Sequence, residues 1–398
     1  MKRRILFVDD DAHALSSLRC MVQPMEPEWD MTFAEGGEAA LQALGQEAFQ
    51  VVVTAMRMRG THGGEVLAHV MTRQPSALRI ALSGPADREL LARSIGCVHQ
   101  ALPRPCDLDQ LVAMVANAAQ LANQGVDADL QGILGRIEHL PSVPGLYQEL
   151  SALLEGEDAT VRRVGDIIRQ DVGMTAKILQ MVNSAFFGLR RTVEDIQDAV
   201  AFLGTDTIKA LVLVHGVFDQ IGELGTEKIS IVDIWVHSLN VAKGARALAA
   251  MEGLTRPQRA EAFMGGMLHD VGILVLAKQF PQRYDRVVGR AVASKLPVIT
   301  AERDEFGVAH PEVGAYLLGL WGIQPGVLKA VSLHHTPSKI QATALNPVLA
   351  VHVADIICGT PGHHTLFENS KLDDVAINGL GMRERLMGWR QVLAQSGW

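Results

Sequence analysis

The residues of this sequence that could do chemistry are histidines and aspartates set within apolar helical patterns. His237 lies in a predicted helix, Ile234–Leu248, on the face that carries apolar residues, so we expect its imidazole to point into the core. Asp355 lies in Val348–Ile357, which is apolar on nearly every side. A buried carboxylate is costly unless it is paired, hydrogen-bonded or bound to a metal. Imidazole and carboxylate together suit Fe, Mn or Zn, although a single histidine on an apolar face more often simply packs in the core.

A second set of chemically able residues is the acidic run Asp9–Asp11, which directly follows the apolar segment Arg4–Val8. In open parallel α/β sheets, ligands bind at the carboxyl ends of the strands, so carboxylates in this place could hold a cation. The alternative is that the run is only a charged strand end or the cap of the helix predicted over Ala12–Val22.

The elements that must position the acidic run form a regular alternation. Short apolar runs of strand type alternate with amphipathic stretches, and five such units predict a doubly wound, five-stranded parallel α/β sheet. The predicted strands are Arg4–Val8, Met31–Ala34, Gln50–Ala55, Arg79–Ser83 and Val98–Leu102. The predicted helices are Ala12–Val22, Gly37–Gly45, Gly64–Thr72, Asp87–Ile95 and Leu108–Leu121.

The elements that must position the histidines are helices. From Ile133 onward the periodicity is helical, glycines and prolines punctuate it, and no strand alternation appears, which predicts an all-α domain. Residues 123–129 are small and polar, as in a linker. We therefore predict an α/β domain over residues 1–122, a linker over 123–132, an all-α domain over 133–345 and a helical extension over 346–398.

Composition limits the classes of function. The chain has 398 residues, 20% of them charged, a formal net charge of −8 and four cysteines with no CxxC pair. No basic surplus is available to neutralise phosphates, which argues against nucleic-acid binding. Unpaired cysteines, the absence of a signal peptide and the absence of a long apolar run predict a cytoplasmic protein that does not span a membrane.

The first domain resembles the receiver domains of response regulators. The resemblance rests on Asp9–Asp11 after the first strand, Ala55–Gly60 after the third, Ser83 at the end of the fourth and Arg104–Pro105 after the fifth. It covers the whole α/β domain. It implies signalling, with protein partners and a homodimer.

The resemblance also implies a degenerate site, formed by Asp9, Asp10, Ala55, Ser83 and Arg104. Ala55 stands where receivers carry the aspartate that accepts the phosphoryl group, and a methyl group can neither accept phosphate nor hold Mg²⁺. Arg104 stands where the family has lysine and changes the reach and geometry of the charge. We therefore expect no phosphorylation at position 55 and no Mg²⁺, so that the domain dimerises or docks with a partner.

The second domain resembles the HDOD family, the HD-related output domain that is often joined to receivers. The segments that carry this resemblance are Leu140–Tyr147, Leu179–Gly188, Ile196–Gly204, Ile234–Ser238, Met267–Gly272 and His310–Gly314.

The HD superfamily implies a set of metal ligands in this domain. In chain order these are His237, His269, Asp270, His310, His334, His335 and Asp355, the order found in HD-GYP phosphodiesterases. Asp233, on the same helix face as His237, stands where those enzymes carry an additional acidic ligand. The implied cofactor is a divalent Fe, Mn or Zn ion. HDOD proteins also keep pieces of this pattern as remnants of the fold, so metal-free packing is the alternative.

The resemblance implies two functions. Ile273 replaces the lysine of the HD-GYP segment, and Thr-Pro-Ser-Lys follows His335 where those enzymes have Gly-Tyr-Pro, so the substrate clamps are missing. We therefore expect a non-enzymatic signalling protein whose HDOD domain binds a protein partner or a small ligand such as a nucleotide. The alternative is a metal-dependent phosphohydrolase that acts on a nucleotide or a cyclic dinucleotide.

Overall fold

The computed structural model describes residues 2–74, 77–84, 87, 90, 94, 97–98, 100–104, 111–112, 145–155, 160–182, 193–321, 323–340, 342, 344–357, 371–379 and 383–395. The chain divides into two compact units. The first consists of residues 1–142, 306–308 and 316–323, and the second of the remainder. The helices predicted over Asp87–Ile95 and Leu108–Leu121 lie outside the described residues, apart from single positions.

The first unit contains a parallel sheet. Its strands are β1 (Arg3–Asp9), β2 (Trp29–Glu35), β3 (Val51–Ala55), β4 (Leu78–Ser83) and β5 (Gln100–Pro103), in the order β2-β1-β3-β4-β5. The central strands β1 and β3 are buried on both faces, which explains why they are continuous apolar runs. The strand register pairs Val8 with Thr54 and Ala55 with Leu82. Asp9 and Ala55 therefore lie at the carboxyl ends of two neighbouring strands.

Three helices follow the first three strands, namely α1 (Ala12–Val22), α2 (Gly37–Gln46) and α3 (Gly63–Arg73). The side chain of Asp11 caps α1, because its Oδ1 accepts a hydrogen bond of 2.8 Å from the amide of His13. The capping interpretation of the acidic run therefore holds for Asp11, whereas Asp9 is buried at the end of β1.

All regular elements described from Gly145 onward are helical. They are α4 (Gly145–Glu155), α5 (Val161–Arg169), α6 (Val172–Val182), α7 (Ile196–Leu203), α8 (Thr205–Ile221), α9 (Ile231–Met251), α10 (Arg256–Leu268), α11 (Val271–Gln279), α12 (Pro281–Ser294), α13 (Val298–Phe306), α14 (His310–Leu320), α15 (Pro325–Leu333), α16 (Pro347–Ile357), α17 (Asp374–Gly379) and α18 (Leu386–Gln395). Short 3₁₀ turns occur at Pro337–Lys339 and Arg383–Arg385. A parallel α/β sheet followed by a helical domain confirms the predicted fold class.

One hydrophobic core of the second unit lies where α9, α10, α16 and α18 meet. α9 and α10 approach closely, because a Cβ built on Gly266 would lie 2.7 Å from the backbone nitrogen of Ala242. Trp389 of α18 is fully buried and donates a 2.9 Å hydrogen bond to Glu252 at the end of α9. The C-terminal helices thus share the hydrophobic core of the preceding ones, while the domain boundaries themselves stay predictions.

One described stretch, Arg256–Gln279, is long and apolar enough to cross a membrane by length and composition. Of its most apolar window, 83% is buried inside the structure, as is usual for the central helix of a globular domain. Helices α7 and α8 would pass the same test only as one span, but they are bent by 116° at their junction.

Candidate metal centre

Five segments of the second unit bring the predicted ligands together. His237 lies in the first half of α9, His269 and Asp270 occupy the junction between α10 and α11, and His310 begins α14. The other ligands come from the end of α15 and from α16. They are His334, His335 and Asp355. All except His335 are buried, with 0–4% of each residue exposed, and 14% of the His335 side chain is exposed.

One group of ligand atoms consists of His237, His269 and Asp355, whose ligand atoms lie within 4.8 Å of one another. The Nε2 atoms of His237 and His269 are 3.2 Å apart. Asp355 Oδ1 lies 3.1 Å from His237 Nε2 and 3.7 Å from His269 Nε2. Two imidazole nitrogens and a carboxylate oxygen therefore face a common centre.

A second group consists of His310, His334 and His335, again within 4.8 Å. His310 Nε2 lies 3.2 Å from His335 Nε2 and 3.4 Å from His334 Nε2. Three imidazoles with their nitrogens this close could hold a transition-metal ion.

The carboxylate of Asp270 faces both groups. Its Oδ2 lies 3.1 Å from His269 Nε2 and 3.6 Å from His237 Nε2. Its Oδ1 lies 3.4 Å from His310 Nε2 and 3.9 Å from His334 Nε2. One aspartate thus presents one oxygen to each group, which is the arrangement of a carboxylate that bridges two metal ions.

Hydrogen bonds on the far side of two rings orient them toward the centre. The Nδ1 atoms of His269 and His334 lie 2.8 Å and 2.7 Å from the carbonyl oxygens of Gly266 and Val331. A carbonyl oxygen only accepts, so each Nδ1 carries the proton and a neutral ring keeps its Nε2 lone pair for the centre. Metal-ligating histidines are usually held in this way.

Glu302 performs the same task for His310, and sequence reasoning missed it. Its carboxylate is fully buried, and its Oε2 accepts hydrogen bonds from His310 Nδ1 at 2.7 Å and from the His310 amide at 2.9 Å. The hydroxyl of Tyr284 donates to its Oε1. The available signal was an acidic residue on the apolar face of α13, beside Ala301, the same signal that marks Asp355.

His352 was also missed, and it supports the centre without joining it. Its Nδ1 donates a 2.6 Å hydrogen bond to the carbonyl oxygen of His334, and its Nε2 accepts one of 2.9 Å from the amide of Asp373. This histidine therefore links the backbone at His334 to the segment that precedes α17.

The pKa shifts show that the buried carboxylates and imidazoles strongly affect one another's protonation. Burial alone would raise the pKa of Asp270, but the imidazole of His269 lowers it well below its usual range. Burial would lower the pKa of His269, but Asp270 and Asp355 raise it to about 9. Burial, with the charges of His269 and His310, lowers the pKa of His334 to about 3. The buried carboxylates therefore stay ionised and require positive charge beside them.

Two buried carboxylate oxygens that accept no hydrogen bond from the described residues also indicate that the donor set suits divalent cations. Asp270 Oδ2 and Asp355 Oδ2 are buried, and within the described part of the chain neither oxygen accepts a hydrogen bond. Such an oxygen costs free energy unless a cation or donor satisfies it. Asp233 is half-buried one turn before His237 and belongs to neither group of ligand atoms.

Main-chain packing fixes the spacing of the ligands. α11 meets the start of α14 at Gly272, where a built Cβ would lie 2.0 Å from the carbonyl oxygen of His310 and 2.8 Å from the amide nitrogen of Gly314. Only glycine permits this approach. Because Asp270 precedes Gly272 by two residues, the crossing sets the distance between Asp270 and His310.

In the first unit the structure brings together part of the predicted receiver site. Asp9 forms an ion pair with Arg104, and its Oδ1 accepts a 3.1 Å hydrogen bond from the amide of Asp11. Asp10 accepts a 2.8 Å hydrogen bond from the amide of Arg59, in the loop after β3.

Ala55 and Ser83 add no charge to that site. Ala55 is fully buried at the end of β3 and contributes a methyl group. Ser83 is half-buried at the end of β4, and its carbonyl oxygen accepts a 3.0 Å hydrogen bond from the amide of Arg104. Within the described residues, the cation beside Asp9 is thus the guanidinium of Arg104.

The structure joins a parallel α/β unit, with carboxylates at the carboxyl ends of its strands, to a helical unit that gathers histidines and aspartates. The response regulator receiver domain matches residues 5–116, and the HDOD domain matches residues 140–337. The chain therefore belongs to the proteins that join a receiver domain to an HDOD domain.

Similar proteins include one relative and two solved structures. An uncharacterized protein of Treponema pallidum (strain Nichols) is 23% identical over 291 residues, which is 73% of this chain and 55% of that protein. The matched region thus spans about half of that protein. An HDOD domain protein from Geobacter sulfurreducens has a TM-score of 0.53 at 24% identity, over 71% of this chain and 99% of that one.

A second solved structure, from Shewanella amazonensis SB2B, is described as a "Putative phosphohydrolase". It has a TM-score of 0.51 at 23% identity and covers 71% of this chain and 93% of that one. At these identities both structures show the shared fold alone.

Proposed function

We propose that this protein is a non-enzymatic signalling protein whose HDOD domain holds a pair of divalent metal ions. The observation that carries the proposal is the Asp270 carboxylate, which presents one oxygen to each imidazole group. His237, His269 and Asp355 would hold one ion. The three remaining histidines would hold the other.

The nature of the donors supports Fe, Mn or Zn. Five imidazoles and two carboxylates form the set, and this majority of nitrogen donors disfavours Mg²⁺ and Ca²⁺, which prefer oxygen ligands. Charge supports a cation as well, because two ionised carboxylates lie in a buried site.

The burial of the ligands supports a binding function over catalysis. A catalytic metal keeps a coordination position open to substrate. Among the described residues the ligand side chains are closed off from solvent, and the one with measurable exposure is His335. Ile273, where the resemblance would require a phosphate-binding lysine, is a fully buried apolar residue. The output of the domain is then the binding of a protein partner or a small ligand.

For the receiver domain we propose partner docking without phosphorylation at position 55. Ala55 provides no nucleophilic oxygen, and the Arg104 guanidinium already neutralises Asp9, which weakens any site for Mg²⁺. The homodimer, the cytoplasmic location and the exclusion of nucleic acid remain part of this proposal.

The experiment that tests the metal pair is elemental analysis of the full chain purified without chelator. We expect about two Fe, Mn or Zn ions per chain. The variant His269→Ala/Asp270→Ala removes ligands of both groups and is expected to lose the metal. The matched control His215→Ala/Asp219→Ala changes the same residue types on α8, away from the centre, and is expected to keep it. A metal-free wild-type chain that is stably folded contradicts the proposal.

A metal-dependent phosphohydrolase is the second candidate, because a carboxylate that faces two groups of ligands is also the arrangement of two-metal hydrolases. Bound metal there would lower the pKa of a water molecule and supply hydroxide at neutral pH. Metal-replete protein is assayed with a nucleotide phosphodiester and with a cyclic dinucleotide. Turnover that disappears in His269→Ala/Asp270→Ala and persists in His215→Ala/Asp219→Ala would establish this candidate over the non-enzymatic one.

A further inference from the structure

A separate cavity lies in the second unit, where the start of α8 meets α9 and α10. Its volume is about 340 Å³, which is in the range of small-molecule sites. Three arginines line it: Arg246 from α9, and Arg256 and Arg259 from the first turn of α10. Its apolar wall includes Phe263.

Among the described residues, no ion pair compensates the positive charge of these arginines. Arg246 donates a 3.0 Å hydrogen bond to the hydroxyl of Thr207, and Arg259 Nε donates one of 2.7 Å to the carbonyl oxygen of Leu254. Both partners are neutral. Across the described residues, none of the three guanidiniums lies within ion-pair distance of a carboxylate.

The same charges affect one another. Burial lowers the pKa of Arg246, and the positive charges of Arg259 and Arg256 lower it further, while Asp206 raises it. Because Asp206 is the one carboxylate among the residues lining the cavity, an excess of positive charge remains.

The backbone adds donors at the same place. α8 begins after Gly204, which lines the cavity and has no side chain to cap the first amides of the helix. A Cβ built on Gly204 would lie 4.0 Å from a terminal nitrogen of Arg256, so this guanidinium lies beside the helix start. Helix N-termini attract anions through their amides and their dipole.

We propose that this cavity binds an organic phosphate of about mononucleotide size. The phosphoryl group would lie between the guanidiniums and the start of α8, since arginine forms paired, charge-assisted hydrogen bonds with phosphate oxygens. The apolar part would pack on the wall formed by Phe263 and its small neighbours Ala250 and Ala260. A cavity of this volume has room for more than an inorganic anion.

The cavity is distinct from the metal centre but shares two helices with it. Arg246 follows His237 by nine residues on α9, and Arg259 precedes His269 by ten residues along α10, so roughly 14 Å of helix separates each pair. Ligand binding in this cavity does not depend on the metal proposal, so the two proposals can fail separately.

The test is isothermal titration of the full chain with AMP, GMP and pyrophosphate, with adenosine as the uncharged comparison. We expect one saturable site for at least one phosphorylated probe and binding of adenosine that is weaker by about tenfold or more. Arg246→Gln and Arg259→Gln should each weaken binding about tenfold. Arg162→Gln, which changes an arginine that is 85% exposed on α5, should leave it unchanged.

Thermal unfolding of each variant establishes that it is folded. If Arg246→Gln does not fold, Arg256→Gln takes its place, because Arg256 is exposed at the first position of α10. Three results would overturn the proposal: no saturable binding of any phosphorylated probe, equal binding of adenosine, or equal losses in Arg162→Gln and the cavity variants.

Discussion

Replacing Glu302 should separate the stability of the fold from the strength of metal binding. Glu302 is fully buried and acts through His310, which it holds by two hydrogen bonds of 2.7 Å and 2.9 Å. Glu302→Gln keeps the volume and an acceptor oxygen, whereas Glu302→Ala removes both. The two substitutions therefore test charge and packing separately.

The magnitudes follow from the contacts. In Glu302→Ala, three buried donors lose their acceptor: His310 Nδ1, the His310 amide and the Tyr284 hydroxyl. At ~1–3 kcal/mol for each buried unsatisfied group, the loss is on the order of 5 kcal/mol. Such a loss is comparable with the whole free energy of unfolding of many domains, about 5–15 kcal/mol. We expect Glu302→Ala to be poorly folded.

Glu302→Gln should fold and bind metal weakly. The amide oxygen can still accept from His310, and the Tyr284 hydroxyl can rotate to accept from the new amide, so we expect a stability loss of about 1 kcal/mol. The negative charge is lost, however. Burial lowers the pKa of His310 and Glu302 raises it, so without the carboxylate the ring is a weaker base and a weaker ligand. Losing such a partner typically costs about 10- to 100-fold in metal affinity.

The assay is a chelator competition with the purified full chain, combined with urea unfolding in the metal-free state. Asp304→Asn is the matched control, because Asp304 lies on the same helix and pairs with Arg290 at the surface. It should retain wild-type metal affinity. Wild-type affinity in a folded Glu302→Gln variant would refute the assignment of His310 as a ligand oriented by Glu302.

Four further predictions concern packing, proton linkage, acid stability and the receiver domain. Gly266→Ala should destabilise the protein by about 2 kcal/mol or more, since the new methyl group meets the α9 backbone; a urea midpoint equal to that of the wild type would contradict this. Metal binding should release protons and weaken as pH falls below about 9, because the pKa of His269 is raised to about 9 and a ligand must be deprotonated; titration in buffers of different ionisation enthalpy measures the release, and zero release would refute the linkage. Asp373→Asn should flatten the loss of stability at acid pH. Burial would raise the pKa of Asp373, but hydrogen bonds from Ser338 and Ala376 lower it, so its contribution is complete at neutral pH and is lost as pH falls below about 4; unchanged urea midpoints near pH 3 and at neutral pH relative to wild type would contradict this. Acetyl phosphate should not label the wild-type chain, because Ala55 offers no acceptor; labelling that survives replacement of Asp9 and Asp10 would reveal another acceptor.

The strands and two of the candidate ligands could be predicted from the sequence for clear physical reasons, whereas the full ligand order came from the resemblance to the HD superfamily. β1 and β3 are continuous apolar runs because both of their faces are buried, and their ends are marked by Asp9 and Ala55. His237 and Asp355 were identifiable because polar groups on otherwise apolar helix faces must have partners. The local sequence pattern is sufficient to predict a buried polar residue when its burial follows from the apolar residues around it in the chain.

The division of the ligands into two groups was not predictable. It depends on which oxygen of Asp270 faces which ring. That orientation follows from the crossing of α11 with α14, a tertiary contact that leaves no periodic pattern in the sequence. The role of Glu302 was not predictable, because this residue belongs to no motif and lies eight residues from the histidine it orients. Tertiary packing determines such hydrogen-bond partners, and the spacing of residues along the chain does not predict them.

The glycine crossing between α11 and α14 separates the frame of the site from the side chains that the frame arranges. The frame is a main-chain contact, with Gly272 against the backbone of His310 and Gly314, so it does not depend on the histidines. Replacing one histidine would leave this frame in place and remove a single donor. Replacing Gly272 with any larger residue would push the two helices apart, and Asp270 and His310 would then move away from each other. The glycine thus controls the geometry of the whole centre, whereas each imidazole controls only its own position.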